Sequence, residues 1–549
     1  MRRMKGAAGL LTALLLAFQL SAQTFALANE DNGIKVVPVN FTHNGYSYEI
    51  EGVAKSTDGD YQIKSPARLA ARKLPSTYDP RSSGEITTVK DQASTGACWA
   101  FSALACAEQD LIKKGLENPS TEFSVPALVL SSNSGTATGK DDFSSGGNWL
   151  FAASALANGQ GLCYEDYEPF LESGTENMIV SENKKSVSEY RLNYVMELSS
   201  TTQVKRKIME LGAVSASYFA GNGYMNHNNT AYYDPDASKN TIINHSVTVV
   251  GWDDNYSKDN FRYKPANNGA WLVKGSWGAD QDNDGFYWVS YDEAEFGQFC
   301  CYDFEESCDN TYHYSKMTGY VVNASNDGSV YGANVFTAKA DEKLDKAGFM
   351  YVGKTGSADY TLSVYTNVSD SDPIGVLETQ ISDSVSANGF YTVDFPEDIL
   401  LEEGEKYSIS VKFSGDSGRG YLLAESDRTS KAQSGQSYVS LNGKYWSDVG
   451  ADKTDSIGSL FIYAYTDDTA KPDKSSLETT LAKYGTLAGC EREANNARTV
   501  LADENASKND ISNAQKLLIS AAEEQDEALV ITTEAQWESF AKRVSGGES

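Results

Sequence analysis

Apolar residues recur along this chain with two different periods, and the switch between them divides it. Starting at Cys98, positions Ala100, Ala103, Leu104, Ala107 and Leu111 fall three and four apart, the spacing of one helical face, and Gly115 supplies the stop. A second Ala-rich run follows Gly146-Gly147-Asn148-Trp149 and predicts a helix to about Asn158. Beyond residue 210 strand-type runs take over at 212–218, 245–252, 270–274 and 286–291. Helices first and strands later predict an α+β domain over residues 74–305.

From 310 to 467 no helical period appears. Short alternating runs at 360–366, 390–395, 407–413 and 460–465 predict an all-β sandwich. Asn442-Gly443, set between two apolar runs, is its strongest hairpin signal. A linker at 471–474 then leads into apolar repeats at 477–487, 491–501 and 511–522, which predict a small three-helix module over 475–528. Ser507 with Asp510 reads as the capping start of its last helix. Residues 529–549 begin a further pattern with Trp537 and Phe540 and read as the start of a truncated module.

The N-terminus has the layout of a signal peptide over 1–28. Arg2, Arg3 and Lys5 precede an apolar run at 7–20, and Ala26-Leu27-Ala28 is a cleavage pattern. The run is shorter than the ~20 residues that cross a bilayer, and no later stretch is long enough. We therefore expect a secreted, extracellular protein, soluble or cell-wall associated, with no membrane span in the mature chain. Residues 29–73, with strand-like runs at 34–39 and 46–53, form an N-terminal segment and a candidate short pro-segment.

Composition narrows the function classes. The 549 residues imply three or four domains, and 40% apolar content with 32 Tyr and 21 Phe is enough for packed cores. A net charge of −30 repels phosphate backbones and argues against nucleic acid as a partner. Seven cysteines are an odd number, leaving one reactive thiol if the other six pair. None is spaced as CxxC, so no zinc site and no other metal site is expected.

The candidate chemistry sits at Gln92-Ala-Ser-Thr95-Gly96-Ala97-Cys98-Trp99. A cysteine that opens a helix has its thiolate favoured by the unpaired N–H groups there, and thiolate is the nucleophilic form. A base must come from elsewhere. Of the four histidines, His245 begins an apolar strand 147 residues after Cys98, whereas His227 lies in a polar loop. This Cys block with this His block resembles the papain family of cysteine peptidases. The resemblance covers about residues 74–305 and implies a two-lobed fold with no cofactor. It implies Cys98 as nucleophile, His245 as its base and ion-pair partner, and Gln92 as an oxyanion donor beside the Cys98 N–H. Gly146 and Gly147 resemble the strand that pairs with bound peptide, and Trp277 the residue that covers the site. Thr95 stands where relatives have a bridging cysteine.

One position departs from that pattern. Lys274-Gly275-Ser276-Trp277-Gly278 has glycine where relatives carry the asparagine that orients the histidine. Ser276, a water or a backbone carbonyl is then expected to take over. The run 280–285, Asp-Gln-Asp-Asn-Asp-Gly, looks like a calcium loop, but Tyr291 stands where its closing glutamate belongs, and we read an ordinary turn. The sandwich resembles the lectin-like domain of bacterial secreted papain relatives, with cell-surface glycans as candidate ligands, and the three helices resemble FIVAR-type spacers. The leading expectation is an endopeptidase acting on proteins or peptides through a Cys98 acyl-enzyme, which passes to water or to an amine. The alternative is a surface-binding, adhesin-like protein whose peptidase domain Gly275 has weakened.

Overall fold

The computed structural model describes residues 36–527 except 44–45, 55–72, 133–142, 144–145, 168, 171–188, 222, 237–241, 280–281, 316–318, 324–327, 370, 416–419, 427–431, 452–456, 471 and 504–505. The signal-peptide reading of 1–28 and the tail at 529–549 lie outside them, as does part of the calcium-like loop.

Helix α1 (Cys98–Lys114) is the centre of the first domain. Its small residues let it sink in from Cys98 to Leu111: Ala100, Ala103, Leu104, Ala107 and Leu111 are buried, and Gly115 ends it in the left-handed conformation at φ 71°. Helix α2 (Val125–Ser132) and helix α3 (Trp149–Ala157) pack beside it as the helical lobe. The sequence reading missed α2. It also missed α4 (Thr201–Leu211), although Val204, Ile208 and Leu211 mark its buried face and the Ser200 side chain caps it.

The strands in chain order begin with β1 (Val36–His43) and β2 (Tyr46–Ala54), an antiparallel hairpin. Next come β3 (Thr77–Tyr78), β4 (Tyr190–Leu198), β5 (Val214–Tyr218), β6 (Ala231–Tyr232) and β7 (Ile242–Ile243). Strands β8 (His245–Asp253), β9 (Ala270–Lys274), β10 (Phe286–Ser290) and β11 (Gly297–Glu306) complete the sheet lobe. The hairpin reaches this lobe through β7, where Val53 pairs with Ile243, two residues before His245.

The β-rich second domain follows: β12 (Asn310–Tyr312), β13 (Gly319–Asn323), β14 (Ser329–Thr337), β15 (Glu342–Tyr351), β16 (Ala358–Thr366), β17 (Val376–Val385) and β18 (Gly389–Leu401). It ends with β19 (Lys406–Ser414), β20 (Tyr421–Ser426), β21 (Ser437–Ser440), β22 (Ser447–Asp448), β23 (Ile457–Leu460) and β24 (Ile462–Asp468). One sheet runs β17-β16-β19-β14-β21-β22. Asn442 and Gly443 do lie in a hairpin, β21–β22, but its connection spans six residues, with the Asn442 side chain accepting from the N–H groups of Lys444 and Tyr445.

The two domains share one sheet. Strands β12-β24-β15-β18 continue into β4-β11-β5-β8-β9-β10-β6 through the pairing of β18 with β4. Gly389 makes this contact possible, since a Cβ there would lie 2.1 Å from the Val195 carbonyl oxygen. Side chains follow the backbone: one apolar core contains Leu104, Leu192 and Tyr302 together with Met350, Phe390 and Tyr463.

Helices α5 (Ser475–Tyr484), α6 (Glu491–Ala502) and α7 (Lys508–Glu527) bury Leu477, Ala494 and Leu518 among themselves. Ser507 and Asp510 cap α7 reciprocally, each side chain accepting from the other's backbone N–H. Lys508 docks this module on Asp468 at 2.7 Å. No helix among the described residues is long and apolar enough to cross a membrane.

Candidate active site

The turn before α1 is built by three hydrogen bonds. Thr95 donates both its N–H and its hydroxyl to the Gln92 carbonyl, at 3.1 and 2.7 Å, and Gln92 Nε2 donates to the Thr95 carbonyl at 2.7 Å. The hydroxyl at 95 thus closes the turn in the place where a disulfide was not available. No disulfide joins any of the cysteines among the described residues. Because a carbonyl only accepts, the Gln92 amide is fixed with its nitrogen toward Thr95. Its oxygen accepts from the Ser276 hydroxyl at 2.6 Å. The backbone joins the same two segments, Gln92 N–H to Ser276 O at 2.8 Å and Gly278 N–H to Lys90 O at 3.1 Å.

Cys98 opens α1 behind an uncapped Ala97 and is 5% exposed. The first turn of α1 is pinned to β8, with Ser102 Oγ donating to the Val247 carbonyl at 2.7 Å. This brings the thiol against Ser246, whose backbone and hydroxyl both hydrogen-bond it. Burial dominates its ionisation and pushes the thiol up to about 11, overriding the hydrogen bonds that pull it down.

His245 is buried at the first position of β8. Trp277 lies flat on its ring, centroids 4.3 Å apart and planes within 6°, and Tyr218 meets it edge-on at 5.9 Å. The preceding Asn244 fixes the strand entry by accepting from the Ala220 N–H at 2.7 Å. His227 is exposed on a loop and has no part in this cluster.

Position 275 is occupied from the other side. A Cβ on Gly275 would meet the Gly285 carbonyl at 3.2 Å and the Tyr287 ring at 3.4 Å. Tyr287 is buried and exchanges a 2.8 Å hydrogen bond with Tyr218. Ser276, expected as a substitute orienter, spends its hydroxyl on Gln92 instead. Tyr218 and Trp277 flank His245, and Tyr218 in turn bonds Tyr287. Sequence reasoning missed both tyrosines, since they are scattered strand positions whose only local signal is an aromatic in a β run.

Gly146 and Gly147 precede α3, which Asn148 caps by accepting from the Leu150 N–H at 2.9 Å. Gly147 lies against the Trp99 ring so closely that a Cβ would sit 2.5 Å from it. Both glycines are half-buried. Behind α1, Lys90 and Thr87 donate to Glu108 at 3.3 and 2.7 Å, and Lys274 donates to Thr87 at 2.7 Å. That buried network ties the helix to β9. Residues 282–285 form a turn, and no three His, Cys, Asp or Glu side chains converge as metal ligands among the described residues.

Residues 74–326 match the model of the papain family cysteine protease, and residues 311–466 that of a lectin like domain. The first domain is a papain-family cysteine peptidase domain. Its relatives include cathepsin K of Mus musculus, 24% identical over 39% of this chain and 59% of the cathepsin. Cathepsin L2 of Homo sapiens is 26% identical over 40% and 62%. The chain spans about three fifths of the length of these curated relatives. The papain-like and lectin-like pair together are similar to the cysteine protease and lectin-like domains of Cwp84, a surface layer associated protein of Clostridium difficile. There the identity is 26% and the TM-score 0.62, over 75% of this chain and 91% of that one. Clostridial Cwp84 after propeptide cleavage matches at 27% and 0.62, over 72% and 99%. The fold class is thus a papain-like domain, a lectin-like β-rich domain and a few C-terminal helices.

Proposed function

We propose that this protein hydrolyses peptide bonds of proteins or peptides through an acyl-enzyme on Cys98. One observation carries the reading: the helix-opening Cys98 is held against Ser246, adjacent to a His245 that Trp277 covers, within a papain-family domain. In this reading His245 takes the proton of Cys98 and returns it to the leaving amine. The Cys98 N–H and the second N–H of Gln92 Nε2 receive the oxyanion, each such donor being worth about 3 kcal/mol. Gly146 and Gly147 offer backbone to an extended substrate because no side chain stands in the way.

Action outside the cell, at or near a surface, fits the likeness to the surface layer associated Cwp84. The lectin-like domain supports cell-surface glycans as partners. The test is direct. A peptidyl epoxide should label Cys98 stoichiometrically, and Cys98→Ala should abolish cleavage of a peptide library. An unlabelled Cys98 in the purified chain would refute the reading and leave a surface-binding protein.

A further inference from the structure

One carboxylate links the lectin-like domain to the start of α3. Glu197, on β4, accepts from Trp149 Nε1 at 3.2 Å on one oxygen and from Asn388 Nδ2 at 3.0 Å on the other. Trp149 is the first residue of α3, two positions after Gly147. Asn388 belongs to the lectin-like domain, in the turn that leads into β18. The backbone doubles the link, with the Glu197 N–H donating to the Asn388 carbonyl at 2.9 Å. Asn388 Oδ1 in turn accepts from the Gly353 N–H at 2.9 Å, so its amide cannot flip without losing partners.

The chain of contacts ends at Trp99, the residue after Cys98. Asn148 caps α3 while Gly147 packs on the ring of Trp99, which also meets Phe151 at 6.1 Å. Trp149 follows the cap directly, and its indole is anchored through Glu197 to a residue outside the peptidase lobe. The neighbouring pairing Gly389–Met196 keeps Asn388 from drifting. Glu197 is half-buried and burial raises its pKa, so it is a site where an unmatched partner is costly.

We propose that Glu197 and Asn388 are positioning residues of the peptidase, by which the lectin-like domain sets the Gly146–Gly147 segment for extended peptides. This inference rests on the peptidase reading above. It makes the second domain a working part of the cleft, separate from any glycan it binds.

The experiment uses the full chain and two thiol reagents, a peptidyl epoxide that needs the glycine segment and iodoacetamide that does not. Asn388→Asp sets two carboxylates against each other. The epoxide should then label Cys98 about tenfold more slowly, and peptide KM should rise by a similar factor, with kcat and iodoacetamide labelling within about twofold. The double variant E197Q/N388D reverses the polarity of the pair and keeps all three side-chain hydrogen bonds. The new amide at position 197 still accepts from Trp149 and donates to the new carboxylate at position 388, which still accepts from the Gly353 N–H. It should return epoxide labelling to the original rate. A single variant that labels like the original chain, or a swap that fails to recover, would overturn the inference while the peptidase reading stands. If the unaltered chain takes iodoacetamide but never the epoxide, both fall together.

Discussion

The Ser276 hydroxyl is bonded to Gln92 Oε1 at 2.6 Å, so the residue beside the missing orienter holds the proposed oxyanion donor. With Oε1 held there and Nε2 held by Thr95, the amide has one orientation.

Ser276→Ala should therefore loosen the oxyanion donor without touching the nucleophile. We expect kcat to fall about tenfold with KM within about twofold, less than the roughly 100-fold or greater loss for removing a donor outright in Gln92→Ala. Steady-state kinetics on one peptide check both. An unchanged kcat in Ser276→Ala would mean that Thr95 alone fixes the amide.

Gly275→Asn restores the side chain that papain relatives carry, but into space bounded by the Gly285 carbonyl and Tyr287. The crowding should cost about 1–3 kcal/mol, seen as a lower midpoint in urea. Turnover should change less than about threefold, since Trp277 and Tyr218 already hold the ring. Trp277→Ala, by contrast, should lower kcat at least about tenfold by freeing the imidazole. Faster turnover in Gly275→Asn by an order of magnitude would show that the aromatic cage orients His245 poorly.

The ionisation of Cys98 gives a pH test. A thiol raised to about 11 is almost wholly protonated at neutral pH, so its alkylation by iodoacetamide should climb about tenfold per pH unit toward 11. A plateau between about pH 4 and 8 would instead report a preformed ion pair with His245.

Burial also acts on Lys274, whose pKa falls to about 8. The unfolded chain keeps that proton up to roughly pH 10.4, so between these values the unfolded state binds more protons and stability should rise with pH. Urea midpoints for the original chain minus those for Lys274→Met should show this rise above about pH 8 and level off near 10. Removing the carboxylate that Lys90 and Thr87 share, as in Glu108→Gln, should cost about 3–5 kcal/mol by leaving buried charge uncompensated.

Much of this protein could be read directly along the chain. The helical face behind Cys98, the stop at Gly115, the reciprocal cap at Ser507 and Asp510, and the strands 245–253 and 270–274 all follow from spacing within a dozen residues, because helix and strand periodicity is local. The Cys98 and His245 blocks were legible for the same reason, each being a short run with its own context. Helix 201–211 carried its signal in Val204, Ile208 and Leu211 and was overlooked in polar surroundings.

Tertiary structure alone decided who supports whom. Gly275 looked like a loss on paper, yet the Gly285 carbonyl and Tyr287 border that space, and Tyr287 in turn bonds Tyr218. Ser276 is the next residue in sequence and serves Gln92, whose backbone N–H also bonds the Ser276 carbonyl. Glu197 lies 191 residues from Asn388 and 48 from Trp149, and only the pairing of β4 with β18 makes them neighbours. A sequence states which residue types are present and how they repeat. Contacts closed across such separations depend on the register of paired strands, and that register exists only in the folded chain.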